Sequence, residues 1–328
     1  MIRKRLFILT VIPLTFFSSN SRGQDPVFSQ LFFNPLYLNP AYAGASKYIR
    51  VGLIYRNQWT MLDRPYSTYG VSYDRTIHEI RSGIGFNIVS DVEGDGVFTR
   101  TTLDVIYAFG IHPTYNSNIR FGLQTSNIVK SRNYSSLVFP DMIGVNGDIT
   151  GSPDFSGFTT VNFDVSLGVA GDWENFYGGV AVHHILEPVE ATYQGEKAYI
   201  PRKYTIHLGA DINLYKWYRF KDELILSPNV IYIRQEDFDQ INLGFYISRF
   251  KLVAGLWLRE NSNFNGHSFI LTVGYSDDQF RMGYSYDFSV YQNGLRGLPT
   301  SSHEVTLGWN FEYKKGKKKF RYIKCPKF

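Results

Sequence analysis

The stretch YTIHLGADIN, residues 204–213, decides the fold: Ile206, Leu208, Ala210 and Ile212 alternate with His207, Gly209 and Asp211. A period of two puts the first set on one face of a strand and the second on the other. The stretch FRMGYSYDF, residues 280–288, repeats the pattern, with Met282, Tyr284 and Tyr286 against Arg281, Gly283, Ser285 and Asp287. One apolar face, opposed by one of glycine, hydroxyl and charged residues, is what a strand lying between lipid and a watery lumen leaves in its sequence.

Outward from these two, the alternation recurs along the chain. At 48–58, Ile49, Val51, Leu53 and Tyr55 oppose Arg50, Gly52, Ile54 and Arg56. Tyr69, Val71 and Tyr73 oppose Gly70, Ser72 and Asp74, and Ile84, Phe86 and Ile88 oppose Gly83, Gly85 and Asn87. Leu103, Val105 and Tyr107 oppose Thr102, Asp104 and Ala108, while Ile119, Phe121 and Leu123 oppose Arg120, Gly122 and Gln124. Phe163, Val165, Leu167 and Val169 oppose Asn162, Asp164, Ser166 and Gly168. Further strands are predicted near 176–184, 223–234, 239–248, 251–259, 268–276 and 302–311, about fourteen in all by the period-two rule. An open sheet of that size in lipid leaves edge N–H and C=O groups unpaired at several kcal/mol each, so the prediction is an all-β, closed transmembrane antiparallel β-barrel. The faces assign Arg50, Arg56, Asp74, Asp104, Arg120, Asp164, Asp211, Arg281 and Asp287 to the lumen, where charges of both signs can pair.

Connector length orients the barrel, because bacterial barrels have short periplasmic turns and longer outer loops. Most of the long connectors fall at alternate positions, near 59–67, 91–99, 129–158, 185–203, 235–238, 260–267 and 289–301; the intervening ones, such as 112–118, 171–175, 248–250 and 276–279, are mostly short. That parity puts both termini in the periplasm.

Composition agrees. The mean hydropathy of -0.20 is near neutral, as an alternating barrel requires. The 24 Tyr, 26 Phe and 5 Trp suit interfacial girdles. The chain opens with Arg3, Lys4 and Arg5 ahead of an apolar run from Leu6 to Phe17, too short to span a bilayer; this reads as a signal peptide, residues 1–23, cleaved after Gly23. The remaining divisions are a plug or strap at 24–47, the barrel at 48–311 and a basic tail at 312–328, which carries eight Lys and Arg against Glu312. In an exported protein such a tail points to acidic lipid headgroups, peptidoglycan or a periplasmic partner, and not to nucleic acid. Cys325 is the single cysteine, so no internal disulfide holds the fold.

Residues 24–44, QDPVFSQLFFNPLYLNPAYAG, cannot form an ordinary strand. Two Asn-Pro pairs five residues apart remove amide donors and bias the preceding residues to extended or turn geometry, while Phe28, Leu31, Phe32, Phe33, Leu36, Tyr37, Leu38 and Tyr42 require burial. The segment either enters the lumen as a plug or straps the periplasmic end. Its residues Asp25-Pro26, Phe28, Gln30, Asn34-Pro35 and Asn39-Pro40-Ala41-Tyr42-Ala43-Gly44 resemble the opening of the PorP/SprF family of type IX secretion system membrane proteins, and the ending KCPKF at 324–328 resembles that family's C-terminus. The resemblance implies a non-enzymatic outer-membrane component of Bacteroidetes that assists secretion and surface attachment of an adhesin-type partner, gliding adhesins included, by binding its C-terminal signal domain. It also implies contact with other type IX components and with outer-membrane lipid. The candidate partner-binding residues it suggests are Asp25, Pro26, Phe28, Gln30, Phe33, Asn34, Pro35, Asn39, Pro40 and Tyr42. A transport barrel for fatty acids or other hydrophobic small molecules is the alternative.

No catalytic site, cofactor or metal site is expected. His183 and His184, adjacent on a strand, point to opposite faces, which is wrong for joint ligation. Asp91, Glu93, Asp95 and Gly96 begin like a calcium loop, but Thr102 stands where the closing Glu belongs. No G-x-S-x-G elbow occurs.

Overall fold

The computed structural model describes residues 24–60, 65–114, 116–135, 137–144, 148–149, 157–193, 196–217, 222–261, 266–291 and 300–312. The signal-peptide reading of 1–23, the basic tail beyond Glu312 and Cys325 lie outside the described residues.

Strands β1 (Tyr48–Gln58), β2 (Tyr66–Ile77), β3 (Ser82–Glu93), β4 (Phe98–Ile111), β5 (Ser117–Arg132), β6 (Phe158–Trp173) and β7 (Phe176–His183) pair as successive antiparallel neighbours. A two-stranded hairpin, β8 (Val189–Tyr193) with β9 (Glu196–Tyr199), stands in the next connector. The sheet resumes with β10 (Lys203–Ala210), β11 (Ile212–Trp217), β12 (Asp222–Gln235), β13 (Phe238–Arg249), β14 (Leu252–Glu260), β15 (Gly266–Ser276), β16 (Phe280–Tyr291) and β17 (Thr300–Glu312). β17 pairs with β1 from Tyr48↔Glu312 to Gln58↔Ser302, so the sheet closes and no edge faces lipid. β10 and β11 are one crossing, interrupted where Asp211 leaves the ladder to receive the Ser227 hydroxyl and to donate its N–H to Asn175 O. Counted this way there are fourteen crossings, as the sequence predicts.

The outward side chains form the lipid-facing belt. Leu53, Val71, Phe86, Val105, Phe121, Leu167, Leu208, Leu243, Leu271 and Val305 are exposed on alternate positions. In water such a band would be an aggregation surface; in a bilayer it meets hydrocarbon. β5 and β6, sixteen residues each, are the longest strands of the sheet. Residues 91–99, expected as a long loop, instead continue β3 and β4 up to a tight turn. Gly94, Asp95 and Gly96 all take positive φ there, a geometry two glycines make cheap.

The interior is where simple alternation stops describing the molecule. Inward positions include Ile54, Val89, Ile106, Ile128, Ile231, Ile233, Trp257 and Ile270, all buried. All of these except Ile128 meet a second layer of apolar side chains inside the barrel, contributed by residues 28–45.

Candidate functional site

Residues 24–45 run down the lumen from the long-connector mouth to the opposite one, and the two Asn-Pro pairs build their local structure. Pro35 and Pro40 each occupy the first position of a short turn, Pro35–Leu38 and Pro40–Tyr42, where a missing N–H costs nothing. Asn39 stays extended and its side-chain oxygen accepts from Ala41 N at 2.9 Å.

At the long-connector mouth the carboxylate of Asp25 meets three cationic side chains from separate strands or strand ends. Lys203 Nζ donates to Oδ2 at 2.5 Å, His184 Nε2 lies 2.9 Å from the same oxygen, and an Arg100 guanidinium nitrogen lies 2.8 Å from Oδ1. His184 also bonds Asp164 through Nδ1 at 2.5 Å. Burial works to raise the Asp25 pKa, but the charges of His184, Lys203 and Arg100 outweigh it and hold the carboxyl well below the ordinary range. For His184, burial works downward, and Asp25 together with the Asp164 hydrogen bond lifts the imidazole above its usual value. Tyr37 donates to Pro26 O at 2.6 Å and its ring underlies Lys203.

One layer down, the backbone N–H groups of Ser29 and Gln30 donate to the Glu304 carboxylate at 2.6 and 2.8 Å. Arg56, fully buried, joins Glu304 at 3.2 Å to Asp287 at 3.1 Å and touches Ser29 Oγ. Arg259 completes the network, donating to Asp287 at 2.7 Å and to Phe28 O at 2.9 Å. A buried charge group of this kind is tolerable because every charge has partners of opposite sign or backbone polar groups.

The middle is apolar. Phe28, Phe32, Phe33 and Leu38 pack among Tyr177, Ile231, Tyr246, Trp257 and Ile270. Phe33 also lies under the Arg281 guanidinium at 5.1 Å. Asn34 bonds Asn87, which in turn bonds Asp104.

Toward the short-turn mouth, Tyr42 OH meets His207 Nε2 at 2.9 Å. Arg120 donates to the carbonyls of Ala41 at 3.0 Å and Ala43 at 2.5 Å. Asp74 accepts Gly44 N at 2.8 Å and holds Arg50 bidentately, both at 2.8 Å. The wall here is made of glycine. A Cβ on Gly83 would lie 2.1 Å from Ala43 O, one on Gly122 2.3 Å from Ala41 N, and one on Gly168 2.0 Å from Asn39 Oδ1. The segment's backbone lies where side chains of an open pore would project.

Among the partner-binding candidates, Phe28, Gln30, Phe33, Asn34, Pro35, Asn39, Pro40 and Tyr42 therefore face the barrel wall, and Asp25 and Pro26 stand at the mouth. Among the lumen charges, Arg50 meets Asp74 and Arg56 meets Asp287; Asp104 bonds Asn87 and Ser126, Asp164 bonds His184, and Asp211 bonds Ser227. Sequence reasoning did not single out Glu304, Arg259, Lys203 or Arg100, and weighed His184 only as a metal ligand. Polar residues at inward parity near strand ends were the available signal. Two expectations are corrected. His184 takes positive φ just past the end of β7, which breaks the alternation and buries both histidines; among the described residues no group of side chains is arranged to hold a metal ion. Gln24 and Glu312, the ends of the described chain, lie at opposite mouths and not the same one, because 24–45 traverses the lumen before β1 begins.

A sequence model of the family described as type IX secretion system membrane protein PorP/SprF matches residues 20–309. No curated protein matches the chain. Among solved structures, the P. putida toluene transporter TodX superposes with a TM-score of 0.50 at 8% identity, over 84% of this chain and 94% of that one. The CymD monoaromatic hydrocarbon channel gives 0.47 at 10% identity, over 88% and 94%. BamA from Haemophilus ducreyi lacking POTRA domains 1–3 gives 0.40 at 10%, over 80% and 70%. At such identities the likeness to TodX speaks for the barrel fold alone.

Proposed function

The chain belongs to the PorP/SprF family of type IX secretion system membrane proteins, an outer-membrane β-barrel, and we propose that it acts as a plugged docking component for a secreted partner. The partner in this reading is an adhesin-type protein, engaged through its C-terminal domain, and other secretion components stand beside it. The observation that carries the proposal is the filled lumen. Residues 28–45 are buried against the wall from mouth to mouth; a cavity of about 30 Å³ is left beside Asp25, Tyr37, Asp104 and His183, and one of about 190 Å³ at the mouth beside Gln24, Arg56, Arg259 and Asp287. A barrel so occupied offers a rigid surface and no open passage, which speaks against the transport alternative.

Orientation follows the general rule that long connectors face outward, so Gln24 and Asp25 belong on the cell-surface side and Glu312 on the periplasmic side. A partner arriving from outside then meets the connectors and the mouth end of the plug. The side chains from Phe28 to Tyr42 become available to it only if the segment leaves the wall.

Affinity purification of the tagged protein from native outer membranes, followed by mass spectrometry, tests the reading. Recovery of a secreted protein through its C-terminal domain, lost on deletion of that domain, is the expected outcome. Purification without any secreted protein, together with uptake of a hydrophobic solute, would overturn it.

A further inference from the structure

Arg100 on β4, His184 at the end of β7 and Lys203 on β10 converge on a single carboxylate that belongs to none of those strands. Their side chains are 13, 7 and 8% exposed, so all three are largely withdrawn from water. Of the carboxylates nearby, Asp164 serves His184, Asp104 is taken up by Asn87 and Ser126, and Asp91, opposite Arg100 on β3, accepts the Thr68 hydroxyl. Asp25 is the carboxylate that all three side chains share, and it stands at the mouth beside the exposed Gln24. Apart from the carboxylate, Asp25 is held by its N–H on Gln235, and the following Pro26 has no N–H to donate. The next main-chain anchors are Pro26 O, which accepts the Tyr37 hydroxyl, Phe28 O, which accepts from Arg259, and the N–H groups of Ser29 and Gln30 on Glu304.

We infer that Arg100, Lys203 and His184 form a carboxylate receptor at the long-connector mouth, in which Asp25 is the resident occupant and an incoming peptide carboxylate can take its place. Largely buried cations are strongly disfavoured once stripped of a shared counter-charge, which opposes the simple departure of Asp25. Exchange with another carboxylate avoids that penalty and frees residues 24–25 without disturbing the anchors from Pro26 onward. The incoming group is either an Asp or Glu side chain or a C-terminal carboxylate, since all present the same planar acceptor to the cluster. Only its assignment to a secreted partner rests on the docking reading; the receptor stands on the geometry of the mouth.

Chemical rescue in the purified, detergent-solubilised protein tests it. Asp25→Gly, with Asp25→Ala as a second variant, empties the site, and thermal unfolding is followed in sodium acetate, in acetamide and in sodium chloride of equal ionic strength. Acetate is expected to restore at least half of the lost midpoint temperature, the other two solutes little, and Lys203→Met in the same background should abolish the effect. Acetate performing no better than chloride in both variants would overturn the receptor. A pentapeptide with a free C-terminus and neutral side chains is then compared with an amidated pentapeptide carrying one Asp. Rescue by either supports exchange and names the source; rescue by neither, where acetate succeeds, overturns exchange with a peptide. Intact acetate rescue with no secreted protein recovered from membranes would refute the docking reading and leave the receptor standing.

Discussion

Gly122→Val places a branched side chain where the plug's backbone runs. The first carbon alone would stand 2.3 Å from Ala41 N and from Pro40 C, and 2.7 Å from Ala41 Cα. Those are backbone atoms held by their own turn, so relief requires the segment to shift by about 1 Å, against an ordinary contact limit near 3.4 Å. Arg120 is the first to lose, since it bonds the carbonyls of Ala41 and Ala43 beside this glycine. Overpacking costs about 1–3 kcal/mol, and each lost hydrogen bond from a charged donor about 1.5–3, so the substitution should cost about 4–9 kcal/mol if both bonds break. Valine favours strands and restricts the unfolded chain, so with an open lumen the same change would be neutral or stabilising. Urea unfolding in detergent micelles reads the difference, with Ala254→Val, on the exposed outer face of β14, as the control expected within about 0.5 kcal/mol of the parent. A Gly122→Val barrel as stable as the parent would refute the close approach of plug and wall.

Arg56→Ala should cost about 3–5 kcal/mol, because it leaves Glu304 and Asp287 short of a buried counter-charge; a loss under 1 kcal/mol by urea midpoint would show the network to be dispensable. The Asp25 contact should also respond to pH in both directions. With its pKa depressed, Asp25 contributes stability above about pH 4 that is lost as the pH falls through its folded value; with its pKa raised, His184 contributes below about pH 6.5 and fades as the pH rises through its folded value. Unfolding midpoints measured from pH 3 to pH 9 should therefore bend down at both ends, and Asp25→Asn should flatten the profile.

The barrel was legible because alternation is local. Met282, Tyr284 and Tyr286 against Arg281, Gly283 and Asp287 need only neighbours to be understood, and closure follows from the energetics of lipid. The course of residues 24–45 was not, since a segment broken by prolines has no period and its packing is decided by contacts more than a hundred residues away, such as Ser29 with Glu304. The inner-face glycines were visible in the sequence, but Gly83, Gly122 and Gly168 read as lumen filler until the backbone they accommodate is seen. Ile54 was in view at an inward position too, an apolar side chain that a water-filled lumen would not favour. His184 failed for another reason: a positive φ at a strand end is a single-residue event that overrides the parity rule.

Single-channel recording in planar bilayers tests the central claim most directly, that the lumen is occupied by residues of the same chain. The parent protein should show no steady conductance, and a variant lacking residues 25–44 that keeps its heat-modifiable mobility on gels should show a large, voltage-independent one. A steady porin-like conductance from the parent protein, unchanged in that variant, would contradict the account.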